Sequence, residues 1–501
     1  MNDTNSEKPQ VKKKRRWGFF ILLAFLAAAT PLAMIGWAEL PRVLLFFELE
    51  PPQIRIRAKQ VRGIGLTPVT LQIELLDTGA GLDEVVVQTQ QRGNYREVLR
   101  ERLLGKPKGT IQYEFPGIKS ELEEGFATIE VRVFDRSFFS NSAEKSVMLK
   151  VDYRKPKIEP ISTQHNARQG GSQLVIYRAF DEELEISGVK VGSQTFLGYP
   201  ARGIDSGFGD PSLHIAFYGI DILKPVAQQP IKLFAVDGVG NASSSTFYNK
   251  ALSYSGRRNK VAIDEGFLRG TIAELADHNF SLLQKVEQQT TGRVLQYQTE
   301  KGSRDRLIEQ FKLVNNNLRQ YDNDQLFSLL TQEHFSRDQK LWEGSFQRQP
   351  GNPVVRFGDQ ISYDFSGQIV GTHTSTGYEI RNSAKSSILA ANSGVVIFSG
   401  NLGTYGRLIV IDHGLGLVSI YSRLDSATVR EGDQVTKGQA IGLMGLSGLT
   451  QTPHLYFEMR LQGVPVDAVE WWDASWVAAH IEAKINEAKK SLGITRYVPL
   501  R

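Results

Sequence analysis

The sequence predicts a multidomain, mainly β protein with one N-terminal transmembrane helix, two β-sandwich modules, a helical connector and a C-terminal antiparallel β domain. Three observations predict this class: an uncharged apolar stretch near the N-terminus, an internal repeat of period-2 strands, and a C-terminal series of short strands separated by glycine turns. With 501 residues, the chain is long enough for several separate cores.

Composition excludes several classes of protein. The net charge of +5 is modest for this length, and part of it lies in the run "KKKRR" at 12–16, so we predict no nucleic-acid partner. The chain has no cysteine, which excludes disulfides, thiolate zinc sites and cysteine nucleophiles.

The apolar stretch at 17–38 carries no charge and follows six Lys and Arg residues. At about 1.5 Å per helical residue it is long enough to cross a bilayer core of roughly 30 Å. We predict an uncleaved anchor at 17–38 and a basic cytoplasmic tail at 1–16. A cleavable signal peptide is the alternative, although the stretch is longer than a usual signal core. We predict a single-pass protein of the plasma (inner) membrane. In either case the bulk of the chain is expected to be periplasmic or extracytoplasmic.

The next two hundred residues contain an internal repeat. Its two copies carry matching residues in the same order: Asp77, Asp135 and Asn141 in the first copy, and Asp181, Asp237 and Asn241 in the second. Alternating apolar strands in a repeat of about a hundred residues are typical of immunoglobulin-like β-sandwiches. We predict one such module at 41–153 and another at 154–250, acting as spacers or binding surfaces.

The repeated aspartates stand where strands end. Calcium binding is one interpretation of such residues, but no D-x-D cluster accompanies them. A single Asp at the end of a strand more often caps the following turn, and this is the role we predict.

Residues 251–350 change character. Apolar residues recur at helical spacing in "FLRGTIAELADHNFSLLQKV" and "SRDRLIEQFKLVNNNLRQY", and Ser303 is suited to begin a helix. We predict a helical connector at 251–350, which ends at the Pro- and Gly-containing segment "RQPGNPVV". A C-terminal helix and tail are predicted at 477–501.

From about Val355 the pattern is again short strands and glycine turns. Four segments follow in order: "AANSGVVIFSG", "YGRLIVIDHGLGLVSIYSRL", "VREGDQVTKGQAIGLMGLSG" and "PHLYFEMRLQGVPVDAVEWWD". Together they resemble the lysostaphin-like or LytM-like zinc metallopeptidases, peptidase family M23, whose fold is the duplicated hybrid motif. The resemblance covers residues 355–476 and implies an antiparallel β domain there.

The resemblance also implies a set of site positions. In the family, zinc is held by the His and Asp of an H-x-G-x-D segment and by the second His of H-x-H. This sequence has Ser375, Glu379 and Tyr456 at those three positions. The two positions that assist catalysis carry His454, which is retained, and Arg423, which replaces a histidine.

These replacements oppose zinc binding. A neutral serine hydroxyl is a poor ligand, a tyrosine must lose a proton with a reference pKa of about 10, and arginine brings a permanent positive charge. The resemblance therefore implies a degenerate, inactive member without a cofactor. Its implied role is to bind peptidoglycan or its stem peptides, or to regulate a cell-wall amidase.

An active zinc-dependent peptidoglycan metalloendopeptidase is the alternative. It requires a shifted ligand set in which a bulge turns His373 inward to join Glu379 and His454. His413, in "IDHG", is not evidence for such a repair, because a histidine is common there in active members too. A purely structural envelope spacer is a third interpretation.

The groove of the domain could still bind without metal. Arg423, Glu379, His454 and Tyr456 offer charge-assisted hydrogen bonds and ring contacts to a carboxylate-bearing peptide. The competing interpretation is that Arg423 only neutralises Glu379 inside a closed groove.

Overall fold

The computed structural model describes residues 45–57, 62–332 and 335–494. The predicted tail at 1–16 and the predicted anchor at 17–38 lie outside these ranges. Within them, no helix combines the length and apolarity needed to cross a membrane. The chain divides into two compact units: one holds the described residues up to Lys155 together with Gly238–Asn241, and the other holds Pro156–Asp237 and the described residues from Ala242 onward.

The first unit is built from two antiparallel sheets. One sheet has the strand order Gln53–Ile56, Val69–Leu76 and Lys108–Phe115, and the other has the order Asn94–Lys106, Leu82–Gln91, Gly125–Asp135 and Ser142–Val151. Alternate residues of each strand point into one shared core, among them Leu71, Ile73, Val85 and Ile129. This agrees with the β-sandwich predicted for 41–153, while its immunoglobulin-like character stays a prediction.

The second module is also strand-based and lies in the larger unit. Its strands are Lys157–Pro160, His165–Arg168, Ser172–Phe180, Leu184–Val191, Gln194–Leu197, Tyr199–Pro200, Leu213–Gly219, Ile231–Asp237, Ala242–Ser245 and Asn249–Leu252. Eight of them form two four-stranded antiparallel sheets, and His165–Arg168 pairs in parallel with Asn249–Leu252.

The helical segment forms two long helical runs. The first consists of Glu265–Phe267, Leu268–Ile272 in π-helical form and Ala273–Thr291, and the second consists of Arg304–Lys312, Leu313–Leu318 in π-helical form and Arg319–Leu329. Ser303 begins the second run as predicted, because its side chain accepts a hydrogen bond from Arg306 N at 3.1 Å.

The connector predicted for 251–350 is helical only in its middle part. Arg258–Ala262 is a strand that pairs in parallel with Gln360–Phe365 and forms the edge of that sheet. After Leu329 the described residues up to Pro350 contain neither helix nor strand. This segment is therefore joined to the C-terminal domain through a sheet, which sequence periodicity did not indicate.

The C-terminal domain is antiparallel β, as predicted. Its main sheet has the order Asn352–Val355, Tyr378–Arg381, Leu455–Leu461, Leu417–Ser422, Gly406–Asp412, Gly394–Leu402 and Gln434–Val435, with Val464–Val466 paired to Leu455–Leu461. A smaller sheet contains Ser387–Leu389, Ala440–Met444 and Leu424–Ala427, and a third contains Arg258–Ala262, Gln360–Phe365 and Gln368–Thr374.

The central strands of the main sheet are covered on both faces. All residues from Leu408 to Ile411 are fully buried, as their continuous apolar run predicted. The C-terminal helical segments are Ala468–Trp472, Ala474–Val477, Ala478–Glu482 in π-helical form and Ala483–Ser491. Helix therefore begins before the predicted start at 477, and residues 495–501 of the predicted tail lie outside the described ranges.

The second module and the C-terminal domain share one hydrophobic core. The rings of Phe217, Trp342 and Trp471 lie 5.7–5.9 Å apart between centroids. Trp471 Nε1 donates to Ser172 Oγ at 3.0 Å, and the Glu470 carboxylate accepts from Ser172 N at 2.7 Å. A fragment that starts near residue 355 would expose this core, so the experiments below use the full chain.

Candidate functional site

Strand register brings the predicted site residues together. Glu379 lies opposite Tyr456 in the pairing of Tyr378–Arg381 with Leu455–Leu461. Tyr456 in turn lies opposite Ser422 in the pairing with Leu417–Ser422, and Arg423 follows directly. Residues distant in sequence therefore form one row across three neighbouring strands.

Glu379, Arg423 and His454 form a compact ionic cluster. Arg423 Nη2 lies 2.9 Å from Glu379 Oε1, and His454 Nε2 lies 3.1 Å from Glu379 Oε2. Arg423 Nη1 also contacts His454 Nε2. Arg423 and His454 are each 6% exposed, so most of this cluster is shielded from water.

The electrostatics of the cluster favour a buried ion pair. Burial alone would raise the pKa of the Glu379 carboxyl, but the charge of Arg423 and hydrogen bonds from His454 and Arg423 bring that pKa well below its usual value. Burial, together with the nearby Arg423 charge, lowers the pKa of His454. Glu379 is thus a carboxylate at neutral pH and His454 is a neutral imidazole.

The backbone holds Arg423 in place. Its φ of 66° lies in the left-handed region, which is costly for a residue with a side chain. Arg423 N donates to Tyr405 O at 3.0 Å, and Arg423 O accepts from Gly445 N at 3.0 Å. The surrounding loops therefore fix the direction in which the guanidinium enters the cluster.

Tyr456 remains a protonated phenol. Its hydroxyl lies 3.0 Å from Thr376 Oγ1, its ring meets Tyr405 edge-on at 5.8 Å, and the Arg423 guanidinium lies 5.2 Å from the ring centroid. Burial, followed by the charge of Glu458, raises the pKa of Tyr456 well above its ordinary value. Tyr456 therefore packs and shares a hydrogen bond with Thr376 rather than supplying an anionic ligand.

The Ser375 side chain is hydrogen-bonded to the neighbouring backbone. Its hydroxyl donates to Gly377 O at 3.0 Å, and the side chain is buried. Gly377 is the retained glycine of the segment, and a Cβ there would lie 2.6 Å from Phe457 O. The two strands therefore approach closely at Gly377, and the first ligand position is occupied by a hydroxyl that is already hydrogen-bonded.

His373 does not complete a shifted ligand set. It pairs regularly with Ile361, and the register irregularity of these strands falls between Tyr363 and Asp364 instead. Among the described residues of this domain, no three His, Asp or Glu side chains bring ligand atoms within 4.8 Å of one another. Burial and the charges of neighbouring arginines lower the pKa of His373 well below its ordinary value.

His413 belongs to the packed interior. Its Nδ1 lies 2.8 Å from Ser393 O and its Nε2 lies 2.7 Å from Ser419 Oγ. Burial lowers its pKa to about 4, so it is a neutral, structurally engaged imidazole.

The donor set does not fit zinc. A structural or catalytic zinc needs at least three imidazole, carboxylate or thiolate ligands converging on one point. Here the serine hydroxyl is engaged, the phenol is protonated, and a guanidinium contacts both the remaining carboxylate and the remaining imidazole. A metal cation would have to displace Arg423 from this position.

A cleft lies beside the cluster and is lined by more cationic than anionic side chains. Its basic residues are Arg258, Lys260, Arg381 and Arg423, and its carboxylates are Asp264 and Glu379. Arg258 and Arg381 are exposed to solvent. Sequence reasoning missed both residues. Arg258 could not be placed from the sequence, because it reaches the cleft only through the parallel pairing of Arg258–Ala262 with Gln360–Phe365.

Helical residues line a second cavity, of about 340 Å³, which also contacts Arg423 and Tyr456. Asn315 Nδ2 donates to Thr372 O at 3.1 Å, and the Asp322 carboxylate accepts from Thr404 N at 2.6 Å. These hydrogen bonds fix the second helical run beside the site. The helical periodicity that predicted this segment contained no information about which surface it would contact.

Comparisons with known proteins identify the family of the C-terminal domain. Residues 373–468 match the family described as Peptidase family M23. The chain therefore contains an M23 domain of the LytM-like type, as its motifs predicted.

Three relatives show how far the similarity extends. Murein hydrolase activator EnvC of Escherichia coli is 37% identical over 123 residues, which is 24% of this chain and 27% of EnvC. Lipoprotein NlpD/LppB homolog of Pseudomonas aeruginosa is 38% identical over 112 residues, covering 21% and 37% of the two chains. DD-carboxypeptidase/endopeptidase Mpg of Neisseria meningitidis is 37% identical over 82 residues, covering 16% and 19%. Each match is a minor part of both chains.

The ionic cluster predicts how zinc binding responds to substitution. We expect the full-length protein to purify without stoichiometric zinc. Ser375→His, Glu379→Asp and Tyr456→His together rebuild the family's ligand set, but the Arg423 charge still opposes a cation. Adding Arg423→His should raise zinc affinity by at least about tenfold over that triple variant, as measured by calorimetry and elemental analysis.

Arg423→His alone is the control and should not create a site. Stoichiometric zinc in the unaltered protein that is lost in His373→Ala would contradict this prediction and would support the shifted ligand set.

Proposed function

We propose that this chain is a membrane-anchored cell-envelope protein whose M23 domain is catalytically inactive and acts in peptidoglycan binding or in regulation of cell-wall hydrolases. The observation that carries the proposal is the contact of Arg423 with Glu379 and His454. The family's hydrolysis uses a metal-activated water. Here each of the three metal positions has another partner: Glu379 pairs with Arg423, Ser375 with Gly377 O and Tyr456 with Thr376.

The relatives' names include both a regulator and an enzyme. EnvC is named a murein hydrolase activator, whereas Mpg is named a carboxypeptidase and endopeptidase, at the same 37% identity. Overall similarity therefore does not separate regulators from enzymes in this family. The donor set supports the regulatory role, because a serine, a tyrosine and an arginine occupy positions that an active member fills with zinc ligands and an assisting histidine.

The cleft supports a peptide-binding role. Arg258 and Arg381 are exposed on its rim, so they are available to a ligand, whereas Arg423 is already paired with Glu379. Exposed arginines bind carboxylates through paired, charge-assisted hydrogen bonds. A wall stem peptide or an acidic segment of a cell-wall amidase would supply such carboxylates. Binding on the rim leaves the internal cluster intact.

Membrane anchorage completes the proposal. The stretch at 17–38 and its basic flank would hold the chain in the plasma (inner) membrane, with the M23 domain on the side where peptidoglycan lies. The β-sandwich modules would then set the distance between the membrane and the M23 domain.

The rim arginines provide a binding test. Arg258→Ala combined with Arg381→Ala should weaken co-sedimentation with peptidoglycan sacculi, or stimulation of a cell-wall amidase, by about tenfold, because two charge-assisted contacts are lost. Arg430→Ala, another exposed arginine of the same domain, is the matched control and should have no effect.

Thermal unfolding of the double variant should match that of the unaltered protein, since both arginines are exposed. If both readouts are unchanged in the double variant, the cationic rim is not the binding surface and this part of the proposal fails.

The anchor predicts a single orientation. A reporter that is active only after export, fused behind Arg501, should be active in cells, because the basic flank before Trp17 keeps the N-terminus in the cytoplasm. Activity only from a reporter that requires the cytoplasm would contradict the proposed topology.

A further inference from the structure

Three carboxylates converge in the first unit, far in sequence from the M23 domain. One carboxylate oxygen each from Glu48, Asp77 and Asp135 lies within 4.8 Å of the other two. Asp77 is 4% exposed and Asp135 is 1% exposed. Glu48 precedes the strand Gln53–Ile56, so three separate segments of the chain contribute to the cluster.

Each carboxylate uses one oxygen to hold a turn. Asp77 Oδ1 accepts from Gly79 N at 2.8 Å, and Asp135 Oδ1 accepts from Ser137 N at 3.1 Å. Glu48 Oε2 accepts from Ala80 N at 2.5 Å. The turn-capping role predicted for Asp77 and Asp135 is confirmed. Asn141 Nδ2 also donates to Asp135 Oδ2 at 2.9 Å, so both oxygens of Asp135 accept hydrogen bonds, whereas one oxygen of Asp77 accepts none.

The second carboxylate oxygen of Asp77 indicates that a ligand binds in this cluster. Asp77 Oδ2 is buried and has no hydrogen-bond partner in the structure. A buried carboxylate oxygen without a partner is costly, because it has lost its hydration and gained nothing in return. A bound cation at this place would satisfy it.

The charges around the three carboxylates also favour a bound cation. None of the described Lys and Arg side chains forms an ion pair with Glu48, Asp77 or Asp135. Arg136, which follows Asp135 in the chain, instead places its Nε 3.9 Å from Asp83 Oδ1. Three carboxylates at such separations repel one another, and the repulsion is strong where water is excluded. A divalent cation would convert this repulsion into attraction.

From these contacts we propose that Glu48, Asp77 and Asp135 form a calcium site. Ca²⁺ binds oxygen ligands at about 2.3–2.6 Å, so two oxygens on one ion lie at most about 5 Å apart, which agrees with the observed clustering. An all-oxygen set without imidazole or thiolate suits Ca²⁺ better than zinc. Three carboxylates from separate segments suit Ca²⁺ better than Mg²⁺, which requires a stricter octahedral geometry.

Two further features are consistent with a built site. The Glu48 carboxylate lies so close to the backbone of Gly79 that a Cβ there would be 1.7 Å from Glu48 Oε2. The repeat also places Asp181 and Asp237 at the sequence positions that correspond to Asp77 and Asp135. Calcium would fasten the segment before Gln53–Ile56 to the sandwich. This inference does not depend on the function proposed for the M23 domain.

The test uses the full-length protein, purified in detergent and stripped of metal with a chelator. Calorimetric titration with CaCl₂ should reveal binding with a dissociation constant of about 10⁻⁴–10⁻³ M, the range of extracellular calcium modules. Asp77→Asn keeps an oxygen for Gly79 N but removes the charge, so affinity at this site should fall at least about tenfold. Thermal unfolding of the first unit should shift upward with CaCl₂ in the unaltered protein only.

Two variants make the outcome decisive. Asp83→Asn changes an exposed acid of the same unit and should leave calcium binding unchanged. Glu48→Gln changes a less buried ligand and should repeat the effect of Asp77→Asn even if the latter impairs folding. The proposal is overturned if the unaltered protein shows no calcium binding, if binding survives in Asp77→Asn and Glu48→Gln, or if MgCl₂ stabilises the unit as well as CaCl₂ does.

Discussion

The arrangement of the M23 site depends on the contact between the Arg423 guanidinium and the Glu379 carboxylate. The guanidinium also touches His454, so one cation engages both the carboxylate at a ligand position and the histidine retained at an assisting position. Because the cluster is largely buried, its charges are little screened by water, and removing one partner would leave the other uncompensated. This arrangement stabilises the cleft floor and opposes a metal ion at the same place.

The fold delivers this contact through strand register. Glu379, Tyr456 and Ser422 are neighbours across three strands, and a shift of one residue in either pairing would turn their side chains to the opposite face. Buried central strands fix that register. The positive φ of Arg423 and the two backbone hydrogen bonds around it then direct the guanidinium toward Glu379.

Sequence reasoning identified the parts of the molecule that depend on local pattern or on motif. The sandwich strands, the helix start at Ser303, the turn-capping aspartates and the M23 domain follow from such signals. The parallel pairing of Arg258–Ala262 could not be predicted, since it joins segments about a hundred residues apart whose periodicity is compatible with several partners. The position of Arg258 at the cleft was missed for the same reason.

In the candidate site too, the motif predicted which residues are present but not how they contact one another. The motif placed Ser375, Glu379, Arg423 and Tyr456 at the family's positions, but it could not decide whether Arg423 reaches a ligand or pairs with Glu379. That choice depends on backbone direction and burial, which are set by packing. The carboxylates of Glu48, Asp77 and Asp135 were likewise scattered in sequence, and only the two sheets of the sandwich bring them together.

A double-mutant cycle on Arg423 and Glu379 tests the central claim most directly. Unfolding of the full-length protein by denaturant would be followed for Arg423→Ala, for Glu379→Gln and for both together. The account predicts that each single change lowers the free energy of unfolding, and that the second change lowers it little further once the first is made. The coupling free energy should be about 2 kcal/mol or more, as for a largely buried ion pair. Strictly additive effects would show that the two groups do not depend on each other and would contradict the account.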